Sequence, residues 1–103
     1  MNSENGLDFC TIIADRSSKK ELLSMVSVCG ARGVCTIYGH GSVNTSVFIE
    51  AFGFAPEKHK VIIQFLVPRP MTDTILNNLV SQFDFDKPNT GIAFTVRVEG
   101  LSF

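Results

Sequence analysis

The chain has 103 residues, 45% of them apolar, with 9 basic against 10 acidic residues and a formal net charge of −1. That length and apolar share fit one domain spanning residues 1–103 around a single core, and they exclude a disordered or fibrous chain. The near-zero charge removes the electrostatic basis for nucleic-acid binding, and no apolar run reaches the roughly 18 residues that a membrane-embedded helix needs.

Met1 to Gly6 is polar and lacks the basic and apolar regions of a secretion signal, so a cytoplasmic protein is expected. Leu7 to Ala14 is apolar on both parities, the pattern of a strand covered on both faces. Ser18-Lys19-Lys20-Glu21 then has capping-box spacing. Leu22, Met25, Val26 and Cys29 follow as one helical stripe, and Gly30 is placed to end that helix. Gly33 to His40 supplies a second strand, and Gly39 and Gly41 bracket His40 where the chain leaves it. Lys60 to Val67 is a third strand, broken by Pro68-Arg69-Pro70. Pro70 suits a first helical position, and Ile75, Leu76, Leu79, Val80 and Phe83 recur at helical spacing. A turn from Asp84 to Thr90 leads into Gly91 to Val98, where Ile92, Phe94, Val96 and Val98 alternate with Ala93, Thr95 and Arg97.

The order β-α-β-β-α-β predicts an α+β, ferredoxin-like split fold: a four-stranded antiparallel sheet with two helices on one face. Two strands are apolar on both parities, so the uncovered face would form an apolar patch too large for a soluble monomer. Burial against copies of the same chain solves this, and a homo-oligomer is expected. The connection from Ser42 to Glu57 carries Val47, Phe48, Ile49, Phe52 and Phe54 with a single acidic residue before its end, Glu50. It is too apolar for a freely solvated loop and reads either as a structural arm or as a partner-binding loop.

Candidate chemistry is sparse. Cys10, Cys29 and Cys35 lie in apolar segments without C-x-x-C spacing and read as buried reduced thiols. His40 and His59 have no acidic or cysteine partner at ligand spacing, so no metal site is assigned. Asp84 and Asp86 fit a turn with solvated charges better than a catalytic pair. No serine, cysteine or lysine has an identifiable activating base, so an enzyme is not expected and no catalytic residue is named.

Four short motifs carry a family resemblance. Gly30-Ala31-Arg32-Gly33 enters a strand and Gly39-His40-Gly41 leaves it. Ala55-Pro56-Glu57-Lys58 leads into an apolar strand, and Thr90-Gly91-Ile92-Ala93-Phe94 opens the last one. In this order and spacing, over roughly residues 7–99, the chain resembles the PII-like signalling proteins, the superfamily of the nitrogen regulatory protein PII. The resemblance implies a homotrimer whose sheets face a common centre. It also implies intersubunit clefts for a small anionic metabolite or an adenine nucleotide, the only cofactor class suggested. A loop after the second strand would report ligand state to a protein target such as a transporter, channel or enzyme. By matching position, the cleft would comprise Gly39, His40 and Gly41 at the loop base and Asn89, Thr90 and Gly91 from the late turn. Val34, Cys35 and Thr36 would line the adenine side.

The sequence also departs from that family. The loop is short for a nitrogen-regulatory PII protein, and Tyr38 occupies a strand position, not that of the family's modified tyrosine. Gly91 is followed by Ile92 where a basic residue is usual, and no C-terminal arginines match the family's phosphate-holding pair. Fewer charge-assisted contacts favour a mono- or diphosphate, or a small carboxylate-type anion, over ATP. Backbone amides around Gly39, Gly41, Thr90 and Gly91 would carry much of the contact, with Arg32 and Arg97 as the nearest supplementary charges. Two alternatives stand beside this reading: a structural or interaction trimer that has lost its ligand, and a metal-tolerance-type trimer of the same fold using His40 or His59.

Overall fold

The computed structural model describes residues 6–38, 60–88 and 90–99. In chain order these form β1 (Leu7–Asp15), a short 3-10 turn (Arg16–Ser18), α1 (Lys19–Val28), β2 (Arg32–Tyr38), β3 (Lys60–Pro68), α2 (Arg69–Phe83) and β4 (Gly91–Arg97). The sheet order is β2-β3-β1-β4, antiparallel throughout. The two strands that are apolar on both parities therefore occupy the centre, and β2 and β4 are the edges. This is the α+β split fold expected from the sequence.

Both helices pack on one face. Cys10, Ile12 and Ala14 of β1 and Val61, Ile63, Phe65 and Val67 of β3 share one core with Leu22, Met25, Val26 and Cys29 of α1 and Ile75 and Leu79 of α2. Each fully buried side chain of the size of Phe65 or Ile12 contributes about 1.5–3 kcal/mol relative to exposure. The opposite face has its own buried pair, Ile13 and Ile62, with Ile92 against them and no helix residue in the cluster.

The alternation in β4 resolves in an instructive direction. Ile92, Phe94 and Val96 pair with Ile13, Thr11 and Phe9, so the apolar set of β4 lies on the face without helices, while Ala93 packs on the helix-side core. Val96 is 55% exposed there. At the centre of this face Gln64 Nε2 donates to Thr11 Oγ1 at 3.4 Å.

The helix ends show one expectation met and one corrected. Gly30, at φ +92°, closes α1: its N–H donates to Ser27 O at 3.1 Å, and Ala31 N–H donates to Val26 O at 2.9 Å. That pair of bonds is a Schellman motif, and the positive φ explains the glycine. The capping box at Ser18 does not form. Ser18 already has helical dihedrals (φ −90°, ψ −1°) and makes no side-chain cap bond. The start is capped one turn earlier, where Asp15 Oδ1 accepts from Ser17 N at 2.9 Å. Pro70 stands in the first turn of α2, as its fixed φ allows.

Cysteine burial is also corrected in part. Cys10 and Cys29 are buried, whereas Cys35 is exposed because it lies on the edge strand β2, with a neighbouring strand on one side only. His40, His59 and the segment from Ser42 to Glu57 lie outside the described residues.

Candidate functional site

Strand register decides how the predicted site residues relate. Tyr38 pairs with Val61, Val61 with Ala14, and Ala14 with Gly91, so these four residues form one row across the sheet. The end of β2 and the start of β4 thus share one end of the sheet but stand at opposite edges. Three interstrand steps separate them, about 14 Å at the usual spacing. Within one chain Thr90 and Gly91 are not brought together with Val34, Cys35 and Thr36. Gly39, His40, Gly41 and Asn89 lie outside the described residues.

Within β2 the neighbouring residues diverge. Cys35 is opposite Gln64 on the face without helices, whereas Thr36 is opposite Ile63 on the helix side. A bulge between Arg32 and Cys35, with Gly33 at φ +61°, shifts the register just before them. Val34 is 40% exposed. A ligand lying along this edge can meet the backbone of all three residues, but their side chains cannot line one wall together.

Gly91 has a local reason to be glycine. A Cβ there would overlap the ring of Phe85, which folds back from the turn after α2. Beside it lies a recess of about 300 Å³, walled by Leu76, Leu79, Val80, Phe85, Ile92 and Ala93. A larger groove of about 680 Å³ runs between α1 and α2, lined by Lys20, Glu21, Val28, Asn78, Gln82 and Phe83 among others. It shares no residue with the row of Tyr38 and Gly91.

The charges at the two ends of the sheet differ from expectation. Arg32 pairs with Leu66 and Arg97 with Asp8, which puts both five or six residues along the strands from the Gly91 row, about 17–20 Å away. Within one chain they are too far from Gly91 to supplement a site there. The described basic residues at that end are Arg16, Lys19, Lys20, Lys60 and Lys87, and Lys20 lines the groove between α1 and α2. Lys60 is buried in the last β1–β3 pair, opposite Asp15. Lys87 lies 3.4 Å from Asp84 in the exposed turn before β4, a turn closed by Lys87 N–H donating to Asp84 O at 2.9 Å. Asp84 and Asp86 are exposed turn residues, as expected. Arg16 and Lys19 both rest on Tyr38: the Arg16 guanidinium carbon is 4.4 Å and Lys19 Nζ 5.0 Å from the ring centroid. Lys19 Nζ also donates to Tyr38 Oη. Sequence reasoning missed this cluster because a nineteen-residue separation in the chain hides a contact made across a helix and a strand.

The other end holds a second unforeseen network. Arg69 Nε donates to Asp8 Oδ1 at 3.1 Å and Thr72 Oγ1 to Asp8 Oδ2 at 2.7 Å. A further Arg69 nitrogen donates to Leu7 O at 3.0 Å. These bonds tie β1 to the start of α2, and Val98 N–H adds β4 by donating to Leu7 O at 3.0 Å. Burial, with the Asp8 charge adding to it, pushes the Cys10 thiol up from 9.0 to about 12. Cys10 is therefore a protonated core residue and not a nucleophile. Among the described residues no three His, Cys, Asp or Glu side chains gather as metal ligands, and no helix is long and apolar enough to cross a membrane.

No protein-family model matches this chain, and no curated protein sequence does. Solved structures do match it. CPII of Thiomonas intermedia K12, a nitrogen regulatory PII-like protein bound to ADP, AMP and bicarbonate, is 15% identical, with 94% of this chain and 96% of that chain covered at a TM-score of 0.65. The GlnK–ATP complex of B. subtilis is 12% identical, covering 95% and 84% at a TM-score of 0.63. CutA1 of Oryza sativa is 11% identical, covering 98% and 87% at 0.64. The chain has the fold that the PII-like proteins and CutA1 share.

Proposed function

We propose that this chain is a PII-like regulatory module, acting as a cytoplasmic homotrimer that binds an adenine nucleotide or a small anionic metabolite between subunits and signals to a protein target. The observation that carries the reading is the row Tyr38–Val61–Ala14–Gly91. The last residue of β2 and the first of β4 stand at one end of the sheet on opposite edges, so a ligand that needs both meets them only where the edges of two copies adjoin. Val96, 55% exposed on the face without helices, and the half-buried Phe9 and Phe94 beside it give those copies apolar surface to share, although Ile13 and Ile62 at its centre are already buried within one chain. The cleft then comprises Val34, Cys35 and Thr36 with Gly39, His40 and Gly41 from one subunit, and Asn89, Thr90 and Gly91 from the next. The role is regulatory rather than enzymatic.

ADP or AMP is the favoured ligand class. PII-like CPII binds ADP, AMP and bicarbonate, and GlnK binds ATP. Here Gly91 is followed by Ile92, which supplies no charge for a third phosphate. Calorimetry with AMP, ADP and ATP tests the reading. Saturable binding of AMP or ADP, with ATP weaker, is expected. No binding of any of the three rejects the nucleotide reading, and a clear preference for ATP rejects the ligand class assigned to the cleft.

A further inference from the structure

We propose that Arg16 and Lys19, gathered on the ring of Tyr38, form the phosphate-binding side of this chain's ligand cleft, an inference that rests on the anion-binding reading above. Tyr38 ends β2 in the same row as Gly91, Arg16 opens the turn that follows β1 at that end, and Lys19 is the first residue of α1. Three segments distant in sequence thus deliver two cations and a ring to the end of the sheet where the anion is expected. Arg32 and Arg97 stand at the other end, Lys60 is buried, Lys87 faces Asp84, and Lys20 lines the groove between α1 and α2.

With 4.4 Å from the Arg16 guanidinium to the ring centroid and 5.0 Å from Lys19 Nζ, the two like charges lie within about 9 Å of each other. Lys19 makes no ion pair among the described residues, and its partner is the phenol of Tyr38. A guanidinium fork beside an ammonium suits adjacent phosphate oxygens: the fork binds two oxygens in one plane and the ammonium acts as a point charge. The ring face of Tyr38 holds Arg16 and its hydroxyl holds Lys19 before the anion arrives, which reduces the ordering cost of binding.

Tyr38 is the single tyrosine and the chain has no tryptophan, so its ultraviolet emission reports on this cluster alone. The native protein is titrated with inorganic pyrophosphate, followed by Tyr38 emission and by calorimetry, and separately with ADP by calorimetry. Saturable pyrophosphate binding that changes Tyr38 emission is expected. In the Arg16→Gln/Lys19→Gln double variant both pyrophosphate and ADP affinities should fall at least tenfold. The Arg97→Gln variant, six residues along β4 from Gly91, should keep native affinity. Tyr38→Leu, which retains both charges but removes the ring, should weaken pyrophosphate several-fold by calorimetry. Lys19→Gln alone, which alters one exposed ammonium, gives a partial loss without risk to the fold. Unchanged ADP and pyrophosphate affinity in the double variant overturns the inference while leaving a nucleotide-binding module in place. Pyrophosphate bound at Tyr38 without any ADP binding upholds the cationic site and sinks the nucleotide reading. Absence of both kinds of binding overturns both.

Discussion

The two ends of the sheet hold charge in opposite ways. At the end of Asp8 a carboxylate accepts from Arg69 and Thr72, and the arginine also serves a backbone carbonyl, so charge is matched within the core boundary. At the end of Tyr38 and Gly91, Arg16 and Lys19 share an aromatic ring at the surface. A buried, matched ion pair is sensitive to loss of one partner, because the other is left uncompensated; a cation resting on a surface ring adds little to stability. One end fastens the fold, and the other is suited to binding.

Breaking the fastened end should have the largest effect. Arg69→Met leaves Asp8 with Thr72 alone, and chemical denaturation should show a loss of about 3–5 kcal/mol. Gly91→Val forces a side chain into the Phe85 ring and should remove about 1–3 kcal/mol by overpacking. Adding Phe85→Ala should cancel part of that penalty, so the double-mutant cycle should give a coupling of opposite sign to the single losses. Loss of ligand in Gly91→Val alone would not identify a ligand contact, since the turn itself is displaced.

Cys10 links the fastened region to pH. In the unfolded chain its thiol ionises near 9.0, whereas the folded chain keeps the proton to about 12. The stabilising difference is therefore fully present below pH 9 and is lost as pH climbs towards 12. Stability measured from pH 8 to 11 should fall more steeply for the native protein than for Cys10→Ala, and parallel curves would contradict this assignment. The smallest effect belongs to the binding end: Arg16→Gln and Lys19→Gln should each change stability by less than about 1 kcal/mol.

Much of the fold was legible because the apolar periods of β1, α1, β3 and α2 are long and uninterrupted, and Gly30 marked a helix end through its backbone demand. The site was legible only as short glycine motifs. Register then showed what those motifs could not: Gly91 and Tyr38 share a row across the sheet, while Arg32 and Arg97 belong to the other end. Asp8, Arg69 and Thr72 carried no local signal, since their network joins residues sixty or more positions apart. Cys35 resembled the other two thiols in composition, and only the placement of β2 at the edge separates it from them.

Native mass spectrometry in the presence of ADP tests the central claim most directly, because it reads assembly and occupancy in one experiment. The account predicts a species of three times the 11.3 kDa chain mass carrying bound ADP, with the dissociated single chain carrying none. A single chain that binds ADP by itself, or a trimer that never does, would contradict it.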